Sequence, residues 1–486
     1  MLRTVTSHRL ATRGVFSRCA GLSILTALAI APLLVSPLAA QQPDAPPDAA
    51  TVPPETAADP AEPSADVPTE EPAAPPAAEV TEPAEPAAEE AQPVQTGPKL
   101  PDYFTPPPAE IPEVMTLRNP LMTDEEIKKE DDAMRRYGGS GMDTVFIRAD
   151  PTNENKEAMR RWAKLRIAQM TAVKEWRDIR GITTPMMISI RNAGRGQSNS
   201  NRQREFREAL CAAMVEACKE VLDNNFHVRL QAVLILGQLD VVTEELVGRN
   251  RKPPEAYVPA VEPLLDVLAS EDQPPAVKVA AAYGVGRIGD NGVIPADLKF
   301  RAGDILTAEL AKPDTFWWYQ VRLAEALAAI ELDYNQARQP IVIEALLAAI
   351  ADDSRHCLAR SAAAKALSRT RAPAGALDEK AAADRLVQLA RDMSLAYNKS
   401  TAATHWHECY WNLYVAFRPA DQDEVSQLPN DSLLRRGSLP AAYEDAFQRI
   451  LPVVKHVFTK KPGERNQPIP QELLQRLNEP LAAAPN

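Results

Sequence analysis

Four stretches decide the fold class: VRLQAVLILGQLD at residues 228–240, VKVAAAYGVGRIGD at 277–290, VRLAEALAAIELD at 321–333 and ARSAAAKALSRT at 359–370. Each has a basic residue in second position, and the steps between these basic residues are 49, 44 and 38 residues. Alanine and other small or apolar residues follow at helical spacing. A register that recurs at this length indicates a helical repeat.

A second amphipathic stretch precedes each of these segments, at residues 206–222, 258–268, 300–310 and 341–350. A fifth pair is predicted at 381–393 and 405–417, and a closing helix at 441–458. Paired helices of this length cannot bury their apolar faces alone and must stack on their neighbours. Aromatic residues make up only 5% of the chain, which favours closely packed helices over sheets. The sequence therefore predicts an all-α fold.

At these residues the chain resembles the HEAT-repeat family, including the variants named after phycobilisome lyases. The second helix of that family has Val-Arg near its start and a Leu-Gly-x-Leu-Gly-like end, as in residues 228–240. The resemblance covers residues 204–370 well and 380–460 weakly. It implies a HEAT-like α-solenoid, an armadillo-like array of about four to five helical pairs, with a scaffold-like role in protein binding.

The resemblance also implies a ladder of hydrogen bonds between repeats, in which an Asp about one and a half turns before the basic residue takes part. Asp223 precedes Arg229 by six residues, and Asp272 precedes Lys278 by six. The implied ladder residues are Asp223, Arg229, Asp272, Lys278, Arg322 and Arg360. Asp314 and Asp353 lie eight and seven residues before the last two of these, where the chain departs from the family's pattern.

The first 40 residues have the pattern of a secretory signal peptide. Four Arg precede an apolar run over residues 22–40, and the small residues Ala39 and Ala40 precede polar Gln41. This pattern predicts cleavage after Ala40 and a secreted protein of the periplasm or cell envelope. The alternative is an uncleaved anchor that tethers the chain to the inner membrane, because about 19 apolar residues can span a bilayer. No later stretch is long and apolar enough to do so.

Residues 41–112 contain 20 prolines and 15 acidic residues against the single Lys99. Such a segment cannot bury enough apolar surface to offset its chain entropy, so the sequence predicts a disordered linker. The predicted domains that follow are an N-terminal helical cap region at 113–203, the repeats at 204–460 and a flexible C-terminal tail at 461–486.

The cap region has its own helix signals. Thr123 and Glu126 have the spacing of a capping box. A helix is predicted over residues 154–180, with Trp176 in its buried stripe. Residues 186–190 are predicted to form a short strand.

The net charge of -12 belongs to the linker, because residues 113–486 carry 49 basic and 51 acidic groups. The folded part thus has no basic excess with which to neutralise a phosphate backbone, and we expect no nucleic-acid partner. One locally basic stretch, residues 191–207, is predicted to be a solvated loop balanced by nearby acids, and the alternative is a loop that meets an anionic group.

Aromatic clusters in this aromatic-poor chain are candidate partner-binding residues. The candidates are Trp317, Trp318, Tyr319 and Trp411. The three consecutive side chains cannot all face one core, so part of them is expected to reach the surface, where aromatic residues anchor protein or sugar partners. The alternative is an inter-repeat hydrophobic plug.

Histidine and cysteine residues near 356–409 have the donor atoms for zinc or copper. His405 and Cys409, four residues apart, share a helix face, and His356 lies one repeat earlier. The sequence favours a structural role for them over a metal site, because His405 and His407 point in different directions. Cys357 and Cys409 can pair if neighbouring repeats bring them together.

Residues 284–289 match the G-x-G-x-x-G dinucleotide pattern. Alanines at 280–282 are poor strand material, and Gly286 falls where the preceding repeat has Gly237. We therefore expect a helix end here and no cofactor. The chain also lacks Walker, HExxH, GxSxG and CxxCH motifs, which indicates a protein that is not an enzyme.

Two functions are consistent with these patterns. The first is an exported, non-catalytic scaffold that binds a protein or a cell-envelope polymer through a solenoid surface. The alternative is an exported metal-binding protein or metal-dependent enzyme centred on His356, His405 and Cys409.

Overall fold

The computed structural model describes residues 119–247, 250–313, 315–370, 377–418, 432–435, 441–458 and 466–481. These residues are mostly helical, so the predicted all-α class is confirmed. The predicted signal peptide and linker, and Asp314, lie outside the described residues. Within the described ranges, no helix combines the length and the apolar character that a membrane span requires.

The N-terminal helices pack around a central one. Their bounds are α1 (Asp124–Arg136), α2 (Met142–Arg148), α3 (Asn153–Ala172), α4 (Ile179–Asn192) and α5 (Ser200–Lys219). Thr123 and Glu126 form the predicted capping box at the start of α1. Helix α3 packs against α1 on one side and α5 on the other.

The predicted helix over 154–180 is confirmed as far as residue 172 and wrong beyond it, and the predicted strand over 186–190 is wrong. Helix α3 ends at Ala172, and α4 includes the whole of the predicted strand. Ile179, Met186 and Ile190 are buried, and Thr183 and Met187 complete the buried stripe at helical spacing. A short apolar run within such a stripe has the composition of a strand, although its burial follows the helical period.

Ten further helices occupy the predicted repeat region. Their bounds are α6 (Phe226–Leu236), α7 (Val261–Ala269), α8 (Pro275–Asn291), α9 (Ala296–Ala311), α10 (Trp317–Ala329), α11 (Ile341–Ala351), α12 (Cys357–Arg369), α13 (Glu379–Lys399), α14 (Trp406–Phe417) and α15 (Ala441–Val457). Single-turn 3-10 helices span Tyr137–Gly139, Trp176–Asp178, Val258–Ala260 and Leu433–Arg435.

These helices form two series of contacts. Helices α6, α8, α10, α12 and α14 each pack against the next member of their series. Helices α7, α9, α11, α13 and α15 do the same. Contacts between the series join α7 to α8, α9 to α10 and α11 to α12. Each helix from α8 to α15 thus packs against the helix two before it in the chain.

Small residues allow the close approach within the first series. A Cβ added to Gly284 in α8 would lie 3.2 Å from the Cα of Gly237, just past α6. A Cβ added to Gly289 would lie only 2.7 Å from the carbonyl oxygen of Ala329 in α10. The glycines of the G-x-G-x-x-G pattern therefore lie inside a helix and serve helix packing.

Four short strands interrupt the helices between α6 and α7, which the sequence did not predict. They are β1 (Asp240–Val242), β2 (Glu245–Val247), β3 (Asn250–Lys252) and β4 (Glu255–Ala256). The antiparallel pairs are β1 with β4 and β2 with β3. At two or three residues each, these strands are too short to produce a periodic sequence pattern.

The predicted flexible tail is wrong for residues 466–481. Helix α16 (Gln471–Arg476) packs against α15, and Leu474, Leu477 and Leu481 are buried. Asn398 of α13 exchanges two hydrogen bonds with the backbone of Ile469, at 3.1 and 2.6 Å. Apolar side chains at helical spacing give this segment enough buried surface to become ordered.

Candidate functional site

The aromatic cluster at the start of α10 divides between the core and the surface. Tyr319 is buried, whereas Trp317 and Trp318 are half-buried. Trp318 stacks on Phe316 with ring centroids 5.8 Å apart. Trp317 stacks on His356 at 5.1 Å. Successive helical residues point in different directions, which explains the division. The partner-binding role of these residues stays a prediction.

Tyr319 belongs to a buried polar network. Its hydroxyl donates a hydrogen bond to Glu309 Oε2 at 3.0 Å. Lys278 Nζ and Lys312 Nζ lie 3.3 and 2.6 Å from Glu309 Oε1. Burial works to raise the pKa of Glu309, but its bond from Lys312, the charge of Lys278 and the bond from Tyr319 hold the pKa below its ordinary value. Burial and the neighbouring carboxylate raise the pKa of Tyr319. The network therefore holds the Tyr319 side chain against Glu309 of α9.

A row of rings follows the starts of α10, α12 and α14. The His356 and His405 rings are 5.1 Å apart, and His405 lies 4.3 Å from Trp406. With Trp317, these residues form what we call the histidine row: Trp317, His356, His405 and Trp406. The row joins three successive members of one helix series through aromatic contacts.

The two histidines are held neutral. His356 Nδ1 accepts a hydrogen bond from the backbone N–H of Leu358 at 3.1 Å, so this ring caps the start of α12. Burial, together with the neighbouring His405, lowers the pKa of His356 to about 4. Burial also lowers the pKa of His405. A side chain that accepts a backbone N–H through its ring nitrogen must lack a proton there.

The structure brings together only part of the alternative metal set. His356 and His405 are neighbours, and Cys409 is fully buried in α14. Across the ranges that the structure describes, no group of three or more His, Cys, Asp or Glu side chains is arranged to hold a metal ion. Two neighbouring imidazoles without a third ligand do not make a closed zinc site.

The cysteines of the described residues are free thiols. Burial raises the pKa of Cys211 to about 12 and raises that of Cys409 well above its ordinary value. Burial raises the pKa of Cys218 and Cys357 as well. All four side chains therefore stay protonated at neutral pH, which deprives them of nucleophilic thiolate character.

Trp411 lies at the junction of α14 and α15. Its half-buried ring stacks on Tyr414 at 5.8 Å and meets the edge of Phe458 at 6.3 Å. It belongs to a different aromatic group from that of Trp317 and Trp318, so the four predicted partner-binding residues do not form one site.

The first two basic residues of the implied ladder have partners other than the implied aspartate side chains. Arg229 Nη2 donates to the backbone carbonyl of Asp223 at 2.5 Å, so the contact uses the main chain and not the carboxylate. Lys278 pairs with Glu309 of α9, and Asp272 forms no ion pair with it. Asp272 precedes α8, whereas Glu309 faces Lys278 across the contact between repeats.

The later two basic residues also connect neighbouring repeats. The Arg322 guanidinium lies 5.4 Å from the centroid of the Tyr283 ring of α8, and its Nη1 pairs with Glu325 at 2.5 Å. Arg360 Nη2 pairs with Asp392 of α13 at 2.8 Å. All four second-position basic residues are buried, and each has a polar partner or an aromatic ring.

An open cleft that the sequence did not reveal lies between the α3–α4 turn and the start of α6. It has a volume of about 500 Å³. Its lining residues are Val173, Lys174, Glu175, Trp176, Arg177, Ile179, Asn225 and His227. Trp176 stacks on His227 with centroids 5.2 Å apart and an interplanar angle of 13°. The Arg177 guanidinium lies 5.6 Å from the Trp176 ring.

Trp176 is 53% exposed, so its predicted place in a buried stripe is wrong. The helix that would have buried it stops at Ala172, and Trp176 begins a 3-10 turn. The signal available in the sequence was the composition of this turn, in which Lys174, Glu175 and Arg177 surround a single large aromatic residue.

The prediction of one loop over 191–207 is wrong, because α4 includes Arg191 and α5 begins at Ser200. The arginines of this stretch also differ in their ion pairs. Arg204 forms ion pairs with Glu208 and Glu255. Arg207 is buried and donates four hydrogen bonds to backbone carbonyls. Arg191 and Arg195 are exposed and form no ion pair with a described carboxylate.

Comparisons of the chain with family models, with curated proteins and with solved structures found no match.

Proposed function

We propose that this chain is an exported, non-catalytic scaffold whose helical pairs form a HEAT-like solenoid and whose surface binds a protein or cell-envelope polymer. The observation that carries the proposal is the pair of helix series, in which each helix packs on the member two elements before it. The shared buried position of Arg229, Lys278, Arg322 and Arg360 supports the same interpretation. Repeats that stack in this way present long continuous surfaces.

The state of the reactive side chains supports a non-catalytic role. Burial raises the pKa of all four described cysteines, and His356 is engaged as a helix cap. Enzymes place groups with perturbed pKa values in accessible clefts. Here burial is the first cause of the shifts, and the groups belong to packed helix contacts.

Export rests on the sequence of residues 1–40. Cell fractionation and mass spectrometry of the mature N-terminus test it directly. We expect the chain in the periplasmic or envelope fraction, with Gln41 as its first residue. A cytoplasmic chain that begins at Met1 would contradict export, and an intact N-terminus in the membrane fraction would favour the uncleaved anchor.

Photo-crosslinking in cells tests the scaffold role. A photoreactive phenylalanine analogue is placed at Trp318 or Trp411, each half-buried, and at Leu395, which is 42% exposed on α13, as a matched control. We expect one or a few discrete crosslinked products at the tryptophan positions and none at Leu395. Identical products at all three positions, or none at any, would contradict a partner surface at these aromatic residues.

The adjacency of His356 and His405 is the one observation that favours the metal alternative. Equilibrium dialysis of the purified chain against zinc and copper, followed by elemental analysis, tests it. One equivalent of metal that is lost in His356→Ala and His405→Ala variants would establish the alternative. Metal uptake unchanged by these substitutions would reject this site.

A further inference from the structure

Exposed apolar side chains concentrate along α4. The described residues include six large apolar side chains that are exposed. Trp176 and Ile188, at 53% and 47% exposure, lie at the start and on the outer side of α4. A third, Ile147, is 56% exposed and bonds through its carbonyl to the backbone N–H of Gly196, shortly after α4 ends. Half of these exposed apolar groups therefore lie on or beside the segment from Trp176 to Gly196, and such concentration marks interaction surfaces.

The same segment has unpaired positive charge. Residues 173–195 contain five basic and two acidic side chains. The five are Lys174, Arg177, Arg180, Arg191 and Arg195, all exposed. None forms an ion pair with a carboxylate of the described residues, whereas the arginines that follow, Arg202 and Arg204, do. The segment thus has a net charge of +3, and the nearby carboxylate of Asp240, which interacts electrostatically with Arg191, is itself paired with Arg287.

The charged and apolar groups share one side of the helix. Arg180, Ile188 and Arg191 lie eight and three residues apart, which places them within about 80° of one another around α4. From Arg180 to Arg191 the helix rises about 17 Å. The cleft with Trp176 and Arg177 lies at the start of α4, where Trp176 precedes Arg180 by four residues. We call the surface formed by Trp176, Arg177, Arg180, Ile188 and Arg191 the α4 face.

We propose that the α4 face binds an acidic peptide segment of a partner protein in extended conformation. Its cations match carboxylates, and Ile188 and Trp176 accept the apolar side chains between those carboxylates. An extended chain of about five residues covers 17 Å. Arginine binds carboxylates through two parallel N–H groups, and aromatic and arginine side chains carry most of the energy of such interfaces.

Two observations favour a peptide over other anionic polymers. Glu175 and Asp178 interrupt the positive charge, which disfavours the dense phosphates of a nucleic acid. His227 and Arg177 already lie against the Trp176 ring, which leaves less flat surface for a sugar ring. The proposal rests on the scaffold function and names the chemistry of one of its partners.

Fluorescence anisotropy with the full mature chain tests the proposal. The probe is a labelled peptide with the repeated sequence Glu-Pro-Val-Glu, and the control probe has Lys in place of Glu. We expect the acidic probe alone to bind, and to bind about tenfold more weakly when the salt concentration rises from 50 to 300 mM. Equal binding of the two probes, or no binding of either, would overturn the proposal.

Two independent variants locate the site. Trp176→Ala and the double variant Arg180→Glu with Arg191→Glu are each expected to weaken binding at least tenfold. Arg385→Glu, which changes an exposed and unpaired arginine of α13, is the matched control and is expected to bind normally. Circular dichroism checks that the exposed substitutions leave the fold intact.

The outcomes separate this proposal from the scaffold proposal. Unchanged affinity in both α4-face variants, or binding of an acidic oligosaccharide in place of the peptide, would show that the assignment is wrong. Peptide binding at the α4 face without crosslinks at Trp318 or Trp411 would keep this assignment and remove only the aromatic surface proposed above.

Discussion

Replacing Arg207 by Met tests how the N-terminal helices are attached to the repeats. The buried guanidinium donates from Nη1 to the carbonyls of Ile190, Arg191 and Ala193, at 3.1, 3.2 and 3.0 Å. Its Nη2 donates to the carbonyl of Asp240 at 2.9 Å. One side chain of α5 therefore holds both the end of α4 and strand β1.

The magnitude follows from these four bonds. Because Nη1 shares its two N–H groups among three carbonyls, three N–H groups donate in all, and at about 2 kcal/mol for each from a charged donor they contribute about 6 kcal/mol. Burial opposes this gain and lowers the pKa of Arg207 by penalising its charged form. Because the Met variant no longer buries a charge, we expect about half of the loss to be recovered, leaving a net destabilisation of about 3 kcal/mol.

Urea unfolding followed by circular dichroism measures the loss, and amide hydrogen exchange locates it. Residues 190–195 and 240–242 should exchange faster in Arg207→Met, because their carbonyls lose a common donor. Arg202→Met is the matched control, since Arg202 is exposed and its pair with Asp150 at 3.6 Å contributes at most about 0.5 kcal/mol. Equal midpoints for the two variants, or unchanged exchange in Arg207→Met, would refute the reasoning.

Two further predictions concern packing and protonation. Gly289→Ala should destabilise the chain by about 1 to 3 kcal/mol, because its Cβ would meet the carbonyl of Ala329. Gly181→Ala, at an exposed position of α4 with open space, should stabilise it by up to about 1 kcal/mol, and opposite shifts in thermal midpoint check both. The pKa of His356 is about 4, below its value in the unfolded chain, so the unfolded chain binds more protons between about pH 6.5 and pH 4. The free energy of unfolding should therefore fall by about 3 kcal/mol as the pH is lowered across that window. His356→Asn keeps a capping side chain and should reduce this fall in a pH series of urea midpoints; an identical pH profile in both proteins would contradict the assignment.

The helices from α6 to α14 could be predicted because their sequence signals are redundant. A basic residue in second position, small residues at helical spacing and an amphipathic partner helix recur several times. The small residues of this pattern allow helices to pack closely, as at Gly284, where α8 approaches Gly237. The partners of the basic residues were less predictable, because Lys278 can reach Glu309 only once two helices of different repeats have packed.

The cleft and the α4 face were missed for a different reason. Pro185 disfavours a helix interior, and residues 186–190 suit a strand by composition, yet α4 continues through both. The sequence predicts one helix over residues 154–180, and such a helix places Trp176 in its apolar stripe. The backbone turn after Ala172 determines its exposure, and no single residue in 173–178 is a strong helix breaker. The half-buried state of Trp317 and Trp318 could be predicted more directly, because three consecutive aromatic side chains cannot all face one core.

The segment at residues 466–481 has a consequence for self-association. A row of stacked helices with a bare apolar last face would let a second copy add head to tail, and repeated addition produces open filaments. Here Leu474, Leu477 and Leu481 lie buried in the segment that packs on α15, and Arg449 donates to the carbonyl of Pro480 at 2.9 Å. That apolar surface of α15 is thus covered from within the same chain, which removes it as a site for head-to-tail addition of a second copy.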